Sequence, residues 1–291
     1  MTKAKVEGRP VNVSMRCLRL GFARSGFYKW LECLAVDRDQ NSFEMIRTIF
    51  TEKRERVGIR QLKMLVFKRF GVQLSRKKIA RIKLKYGLVT RIRRKNKYRQ
   101  YRKRTQEHRT FGNVLNREFK RTKPDEVYST DITELPYGKN QKAYLAVFKD
   151  LATKEIVSSE LSPKTDLKLV GVGLKKALSR LSLKKREHLM IHSDQGYHFT
   201  HFSYRNLLAK NGVKQSMSRK GNCLDNSPVE SFFGYLKDHL DLKTCQDYEE
   251  LNRRVTKEID YYNYQRPQWD LKKMPPKKYR RHLSSLNPGL S

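Results

Sequence analysis

Three acidic residues stand in segments whose patterns predict regular structure. Asp131 lies inside a run of strand-forming residues at 127–134, and Asp194 ends a second apolar run. Glu230 follows near the start of an amphipathic helical pattern. Carboxylate oxygens are the ligands that hard divalent cations such as Mg²⁺ prefer. Three carboxylates on three separate elements therefore predict a divalent-metal site.

Cleavage of a phosphodiester needs an activated nucleophile and stabilisation of charge on the leaving oxygen. Two Mg²⁺ ions roughly 3.5–4 Å apart can supply both, and Mn²⁺ can substitute for Mg²⁺. We assign Asp131 as the bridging ligand, Asp194 to one ion and Glu230 to the other. Without metal, mutual repulsion would make such a trio costly to assemble. Four other acids near these segments are interpreted as turn or cap residues: Glu134, Asp150, Asp166 and Asp225.

The segments around the acids predict an α/β unit. Three strands, a helix, a strand, a helix, a strand and a long helix follow one another between residues 125 and 275. This order is that of the ribonuclease-H-like fold, a mixed five-stranded sheet with helices. In that sheet the first and fourth strands are neighbours, so Asp131 and Asp194 should lie together and Glu230 should reach them from the last helix.

The charge of the chain predicts a polyanionic partner. Lys and Arg number 65 and Asp and Glu 29 among the 291 residues, for a formal net charge of +36. Residues 1–110 hold 32 of these Lys and Arg but only 8 of the acids. A basic excess concentrated in one third of the chain favours a dedicated nucleic-acid arm, and with the helix-turn-helix described below the predicted partner is double-stranded DNA. A ribosomal or chaperone-like basic surface is the alternative, and the acid trio argues against it.

An all-α region precedes the α/β unit. Apolar spacing predicts helices over 42–56, 59–70 and 75–86, with Ser42 and Ser75 as N-caps and a turn at Gly71. Two helices across a short turn, the second of them basic, are typical of a helix-turn-helix. A plain three-helix bundle with a solvated basic face is the alternative. The predicted DNA-contacting residues of the last helix are Arg76, Lys77, Lys78, Arg81 and Lys85.

These segments predict five regions. Residues 1–40 form a short helical segment, 41–90 a helix-turn-helix DNA-binding domain, 91–124 a basic linker, 125–275 the catalytic core and 276–291 a basic C-terminal tail. The most basic part of the linker, 91–109, suits phosphate binding, which is steeply salt-dependent. Tyr98 and Tyr101 within it are candidates for base stacking.

Other residues limit the cofactors and the cellular location. None of the four cysteines forms a Cys-x-x-Cys pair, and the spacing of His192, His198 and His201 suits no zinc site. His192 is expected to orient the end of its strand. No apolar run approaches the roughly 18 residues of a membrane span, and the N-terminus lacks a signal-peptide pattern. We therefore expect a reduced, cytoplasmic protein.

The motifs around the acids resemble those of the DDE transposases with a retroviral-integrase-like core, specifically the OrfB product of the insertion-sequence-three family. The residues that carry the resemblance are 129–133, His192-Ser-Asp194-Gln-Gly-Tyr197, and 226–237 with Glu230 and Lys237. The 35 residues between Asp194 and Glu230 match the family's interval. Residues 21–30, 43–95 and 261–275 resemble its opening segment, helix-turn-helix insert and closing motif.

The resemblance implies cutting at the ends of a mobile element and joining of the freed 3′-hydroxyls to DNA, through a circular intermediate. Lys237, two turns after Glu230, would hold a terminal phosphate, although a solvated lysine is the alternative. Arg266 and Trp269 would either fix the closing segment on the core or contact DNA. Pairing of two element ends implies at least a dimer on DNA.

The chain differs from the proteins it resembles in two respects, and two alternative functions stay open. The His-His-Cys-Cys zinc module of the retroviral enzymes has no counterpart here. In the family an upstream OrfA-type product commonly adds a second helix-turn-helix and a coiled coil, and this chain shows no sustained heptad. We therefore expect full activity to need that partner. The alternative functions are a non-catalytic DNA-binding protein and a ribonuclease-H-type nuclease that acts on RNA–DNA hybrid.

Overall fold

The computed structural model describes residues 12–35, 37–91, 111–219 and 223–286. Most of the basic part of the predicted linker, 91–109, with Tyr98 and Tyr101, lies outside these residues. None of the helices in this part of the chain combines the length and apolar character needed to cross a bilayer.

The N-terminal part is helical, as predicted. Helices α1 (Val13–Arg19) and α2 (Arg24–Ala35) are followed by α3 (Gln40–Glu52), α4 (Ile59–Phe70) and α5 (Arg76–Lys85). The last three enclose an apolar core that includes Ile46, Ile49, Phe50, Leu62, Val66, Ile79 and Ile82.

Of the two N-caps and the glycine turn predicted for this region, one N-cap and the turn have the expected geometry. Gly71 adopts φ +69° and ends α4, a conformation that glycine tolerates without strain. The Ser75 hydroxyl accepts a hydrogen bond from the Lys78 amide at 3.0 Å and caps α5. The prediction for Ser42 is wrong, because α3 starts two residues earlier and Ser42 is buried inside it. Tertiary packing, which sequence spacing does not report, sets that helix start.

A five-stranded mixed sheet forms the centre of the molecule. Its strands are β1 (Val127–Tyr137), β2 (Gln141–Asp150), β3 (Ile156–Ser162), β4 (Met190–Ser193) and β5 (Lys214–Met217). The order across the sheet is β3-β2-β1-β4-β5. β1, β2 and β3 pair antiparallel, whereas β4 pairs parallel with β1 and β5 parallel with β4. The predicted ribonuclease-H-like sheet, with its first and fourth strands adjacent, is confirmed.

Helices cover both faces of the sheet. They are α6 (Leu167–Leu178), α7 (Leu183–His188), α8 (Tyr197–Thr200), α9 (Phe202–Lys210), α10 (Ser227–His239), α11 (Tyr248–Asp260) and α12 (Pro276–Leu286). One apolar cluster joins Tyr128 and Phe148 to α6 and α9. A second joins Leu135 and Val147 to α10 and α11. Because side chains alternate along a strand, Ser129, Asp131 and Leu135 share the face that α10 covers.

A buried ion cluster fastens α12, which begins where we predicted a basic tail, to the core. The Arg280 guanidinium donates to Asp125 at 2.8 Å, to Asp150 at 2.9 Å and to Glu155. The Asp150 and Glu155 side chains have no solvent exposure. Asp150 also accepts from the Ala152 amide and the Thr153 hydroxyl, as expected of a turn residue. Asp166 caps α6 through the Leu169 amide at 3.0 Å.

Candidate active site

The register of two parallel strands positions Asp131 and Asp194. Ser129 of β1 pairs with His192 of β4. Asp131 and Asp194 each follow two residues later, on the same face of the sheet as Ser129. The Asp131 carboxylate accepts from the Ile132 amide at 2.8 Å, and the Asp194 carboxylate accepts from the Gly196 amide at 2.8 Å. Parallel pairing therefore directs both carboxylates to one face, at the end of β4.

The start of α10, the helix that carries Glu230, is hydrogen-bonded to β1. The Ser129 hydroxyl donates to the Asn226 side-chain oxygen at 2.6 Å, and the Asn226 amide group donates to the Thr130 carbonyl at 3.2 Å. Glu230 lies about one helical turn beyond Asn226. The first turn of α10 is thus held two residues away from Asp131 along β1.

The donor set fits a hard divalent cation. Asp131 and Asp194 are half-buried and Glu230 is exposed, so solvent ions can reach all three carboxylates. Within the described ranges, however, no three His, Cys, Asp or Glu side chains are gathered closely enough to hold a metal ion as they stand.

A chain of hydrogen bonds behind the acids was missed by sequence reasoning, apart from the orienting role expected of His192. The Ser216 hydroxyl accepts from the Val114 and Leu115 amides at 3.1 Å each, so its proton faces His192 Nδ1 at 2.9 Å. His192 Nε2 then donates to the Asp225 carbonyl at 2.9 Å. Burial lowers the pKa of His192 and favours this neutral tautomer. The end of β4 is thereby tied to the residues that lead into α10.

Asp225 anchors the segment that leads into α10. Its side chain has no solvent exposure and accepts from Arg117 Nε at 2.6 Å, from Arg219 Nε at 3.1 Å and from the Asn113 amide group at 2.9 Å. We had interpreted Asp225 as a cap or turn residue. Its position next to Asn226, at the entrance of the helix that carries Glu230, was the only available signal in the sequence.

We expect Asp225→Asn to lower the rate of DNA cleavage and joining by about tenfold. The amide replaces one acceptor oxygen by an NH₂ donor, which cannot accept a hydrogen bond from the two arginines, so the entrance of α10 is held less firmly. The measurement is the single-turnover rate of the full chain. Asp260→Asn, an exposed acid outside this cluster, serves as the control. An unchanged rate in Asp225→Asn would show that the anchor does not position the site.

The same anchor predicts acid sensitivity. Arg219, followed by Arg117, holds the pKa of Asp225 well below its ordinary value. For a lowered carboxylate pKa, the stabilisation is complete above the unfolded-state value of about 3.9 and is lost as the pH falls from there towards the folded-state value. The stability difference between wild type and Asp225→Asn should therefore be present at pH 7 and shrink below about pH 4. Urea unfolding midpoints of wild type and Asp225→Asn, measured at pH 7 and at about pH 3, test this expectation.

Gly196 leaves room for the Asp194 carboxylate. A Cβ at Gly196 would stand 2.8 Å from Asp194 Oδ1, whereas the backbone φ of −64° suits any residue. Gly196→Ala should therefore displace the carboxylate at little cost in stability. We expect a fall of about tenfold in the rate of cleavage, since a displacement of about 1 Å at a reacting centre is costly.

Gly234→Ala is the matched control for that substitution, because a Cβ at Gly234 meets no atom within 4 Å. Urea unfolding midpoints of both variants should stay close to wild type. A Gly196→Ala protein with wild-type rates would mean that the observed Asp194 position is not needed.

Four of the predicted DNA-contacting residues of α5 differ in their surroundings. Lys77 is exposed and Lys78 half-buried on α5. Arg81 pairs with Asp39 at 2.8 Å and Lys85 with Asp37 at 2.6 Å. Lys85 and Tyr86 lower the pKa of Asp37 to about 2. Two of the predicted contacts are therefore held in ion pairs inside the three-helix unit.

Arg76 faces the closing segment of the core. The Arg76 and Arg60 guanidinium groups each lie 5.8 Å from the centre of the Trp269 ring. Arg266 stacks 4.3 Å from the centre of the Tyr235 ring on α10. Both closing-motif residues thus make contacts within the protein. Lys237 lies on α10 and is half-buried, seven residues beyond Glu230.

Comparison with known protein families agrees with this architecture. Residues 121–223 match the Integrase core domain family, and residues 211–276 match a second Integrase core domain family. Residues 37–96 match the HTH-like domain family, which covers α3, α4 and α5.

Related proteins are transposases of insertion sequences. The chain is 39% identical over 259 residues to the putative transposase InsK for insertion sequence element IS150 of Escherichia coli, covering 88% of this chain and 89% of InsK. It is 26% identical over 270 residues to the transposase InsF for insertion sequence IS3A of the same organism, covering 89% and 90%. The HTLV-2 integrase catalytic core domain in complex with magnesium aligns with a TM-score of 0.44 and 18% identity, over 54% of this chain and 97% of that one. The integrase core of the chain is preceded by an HTH-like domain. Because the similarity to InsK extends over nearly the whole of both chains, the chain belongs to the insertion-sequence-three (IS3) family of transposases.

Proposed function

We propose that this protein is a DNA transposase that cleaves the ends of an insertion sequence and joins the 3′-hydroxyl ends to DNA. It would act as a metal-dependent polynucleotidyl transferase in the bacterial cytosol. Asp131, Asp194 and Glu230 are the proposed catalytic residues and metal ligands. The observation that carries the proposal is the pairing of Ser129 with His192, because that register turns two carboxylates to one face.

Each element has a stated task in this proposal. β1 holds Asp131, β4 ends directly before Asp194, and the Ser129–Asn226 hydrogen bond would keep the α10 carboxylate on the same side. The Gly196 amide limits rotation of the Asp194 side chain. The protein thus contributes orientation of oxygen donors, which is the main contribution of a protein scaffold to phosphoryl chemistry.

A divalent ion, Mg²⁺ or Mn²⁺, held by these carboxylates would supply an activated nucleophile and charge stabilisation at the leaving oxygen. We propose two ions per site. The all-oxygen donor set and its access to solvent support the proposal.

The DNA partners proposed are the terminal inverted repeats and the target. Lys237 would hold a terminal phosphate beside Glu230, and the exposed Lys77 with the half-buried Lys78 would contact DNA from α5. Arg76, Arg81 and Lys85 would also contact DNA, in competition with their present partners Trp269, Asp39 and Asp37. We further propose that the protein acts as a dimer or larger oligomer on DNA and that an OrfA-type product completes the active assembly.

The test is strand transfer by the full chain on labelled terminal-repeat duplex with Mg²⁺, with and without the upstream product. Joined product should appear with metal and disappear after chelation with EDTA. An RNA–DNA hybrid substrate runs in parallel. Cleavage of the hybrid without joining of DNA would replace this proposal by a ribonuclease-H-type nuclease. Binding without reaction in both assemblies would leave a non-catalytic DNA-binding protein.

A further inference from the structure

A cavity of about 410 Å³ opens beside the start of α10, on the side of the helix away from Glu230. Pockets for small molecules and cofactors usually measure roughly 300–1,000 Å³. Its cationic lining is Lys149, Lys154 and Arg266, and none of the described residues that line it is acidic. Its other polar and aromatic lining includes Ser227, Ser231, Phe119, Phe232, Tyr235 and Tyr262. We call this space the Lys149 cavity.

Lys149 is a buried ammonium group that faces the cavity. It is 5% exposed, and its Nζ donates to the Pro228 carbonyl at 2.8 Å. Burial, with the nearby charges of Lys154 and Arg266, lowers the pKa of Lys149 to about 7. Lys149 thus has a neutral carbonyl partner, and among the described ion pairs only Lys154 of the three cations has an acidic partner. An anionic ligand would supply a balancing negative charge.

The other two cations border the same space. The Arg266 guanidinium lies 4.3 Å from the centre of the Tyr235 ring and 5.7 Å from the centre of the Tyr262 ring. Lys154 pairs with Asp270, whose side chain is 71% exposed, at 2.9 Å, so this pair is weak and exchangeable. Aromatic rings and cations on one wall are the combination that binds a nucleobase and its phosphate.

The cavity adjoins the proposed catalytic face without sharing its acids. Lys149 is the β2 residue paired with Ser129, two residues before Asp131. Ser227 and Ser231 line the cavity from α10, on both sides of Glu230 in sequence. The cavity and Glu230 thus share the first turns of α10.

We propose that the Lys149 cavity binds one nucleotide of a DNA strand, with its phosphate at Lys149, Lys154 and Arg266 and its base against the aromatic wall. This rests on the proposed function only in naming DNA as the source of the nucleotide. Phosphate and base together are the chemistry that the lining recognises, and a free mononucleotide offers the same groups.

The first experiment is calorimetric titration of the full chain with a deoxynucleoside 5′-monophosphate, with the matching deoxynucleoside and with inorganic phosphate. The monophosphate should bind at least about tenfold more tightly than either fragment. Lys149→Met should weaken it by about tenfold, and Lys139→Met, from an exposed turn, should not. Equal binding of inorganic phosphate and monophosphate, or unchanged binding in Lys149→Met, would overturn the proposal.

Lys149→Met replaces a buried ammonium group by an apolar chain of similar length, so we expect the variant to fold. Lys154→Gln, at the rim, provides a second test and should weaken monophosphate binding about threefold. If Lys149→Met does not fold, unchanged binding in Lys154→Gln overturns the proposal.

The second experiment identifies the source. By fluorescence anisotropy, a duplex with a single-stranded extension should bind several-fold more tightly than the blunt duplex to wild type, and Lys149→Met should lose this preference. No preference in wild type, with the monophosphate still bound, would overturn DNA as the ligand. Glu230→Gln should bind the monophosphate as wild type does and should keep the preference for the duplex with a single-stranded extension. Failure of the proposed chemistry and failure of the nucleotide site are therefore distinguishable.

Discussion

Glu230→Gln should reduce DNA cleavage and joining by at least about 10³-fold while DNA binding stays within about twofold of wild type. The loss follows because an amide cannot replace an anionic oxygen donor, and charge stabilisation by a bound divalent ion is worth several kcal/mol at the transition state. Asp131→Asn and Asp194→Asn should have the same effect. Single-turnover cleavage and strand transfer on terminal-repeat DNA, with binding measured by anisotropy, provide the readout.

Glu249→Gln is the matched control for these amide substitutions, because Glu249 is an exposed acid on the first turn of α11. It should cleave and join at the wild-type rate. Strand transfer retained in any of the three amide variants would remove that residue from the proposed site. Loss of DNA binding in parallel with activity would instead indicate a folding defect, which urea unfolding of the same samples would reveal.

Arg280→Met should lower the free energy of unfolding of the core by about 3 kcal/mol. Removing one member of a buried ion cluster leaves the other charges uncompensated, which typically costs about 3–5 kcal/mol. We expect the lower end because Lys277 and Arg180 still pair with Glu155, at 2.6 and 3.0 Å. Asp125 and Asp150 have no such second cation among the described ion pairs. Urea unfolding followed by circular dichroism gives the difference.

Arg281→Met is the control, since it removes the same charge from an exposed position on the same helix. Its urea midpoint should be close to that of wild type. If Arg280→Met and Arg281→Met unfold at the same urea concentration, α12 is not fastened to the core by this cluster. The comparison also tests whether the segment we predicted as a tail contributes to the stability of the catalytic unit.

Local pattern was sufficient for the main elements. The bounds of α4 matched the prediction of 59–70, because this helix carries its own apolar period and a glycine turn at its end. Strand order then followed from the succession of elements, which limits the possible topologies. The three acids were selected by their spacing and motifs. That they act as ligands and catalysts stays a prediction for the experiments above.

The sequence by itself determined the fold class and the family, since strand alternation, helical periodicity and motif spacing are local properties, and it predicted that Asp131 and Asp194 lie together. Only the tertiary structure decided which side chains anchor α10 and α12 to the sheet. Asp225 meets Arg117 and Arg280 meets Asp125 across more than 100 residues of chain. Such pairs leave no periodic signal, because they depend on how distant segments come together. For the same reason, the ion pairs of Arg81 and Lys85 and the cavity beside Lys149 were visible only in the folded protein.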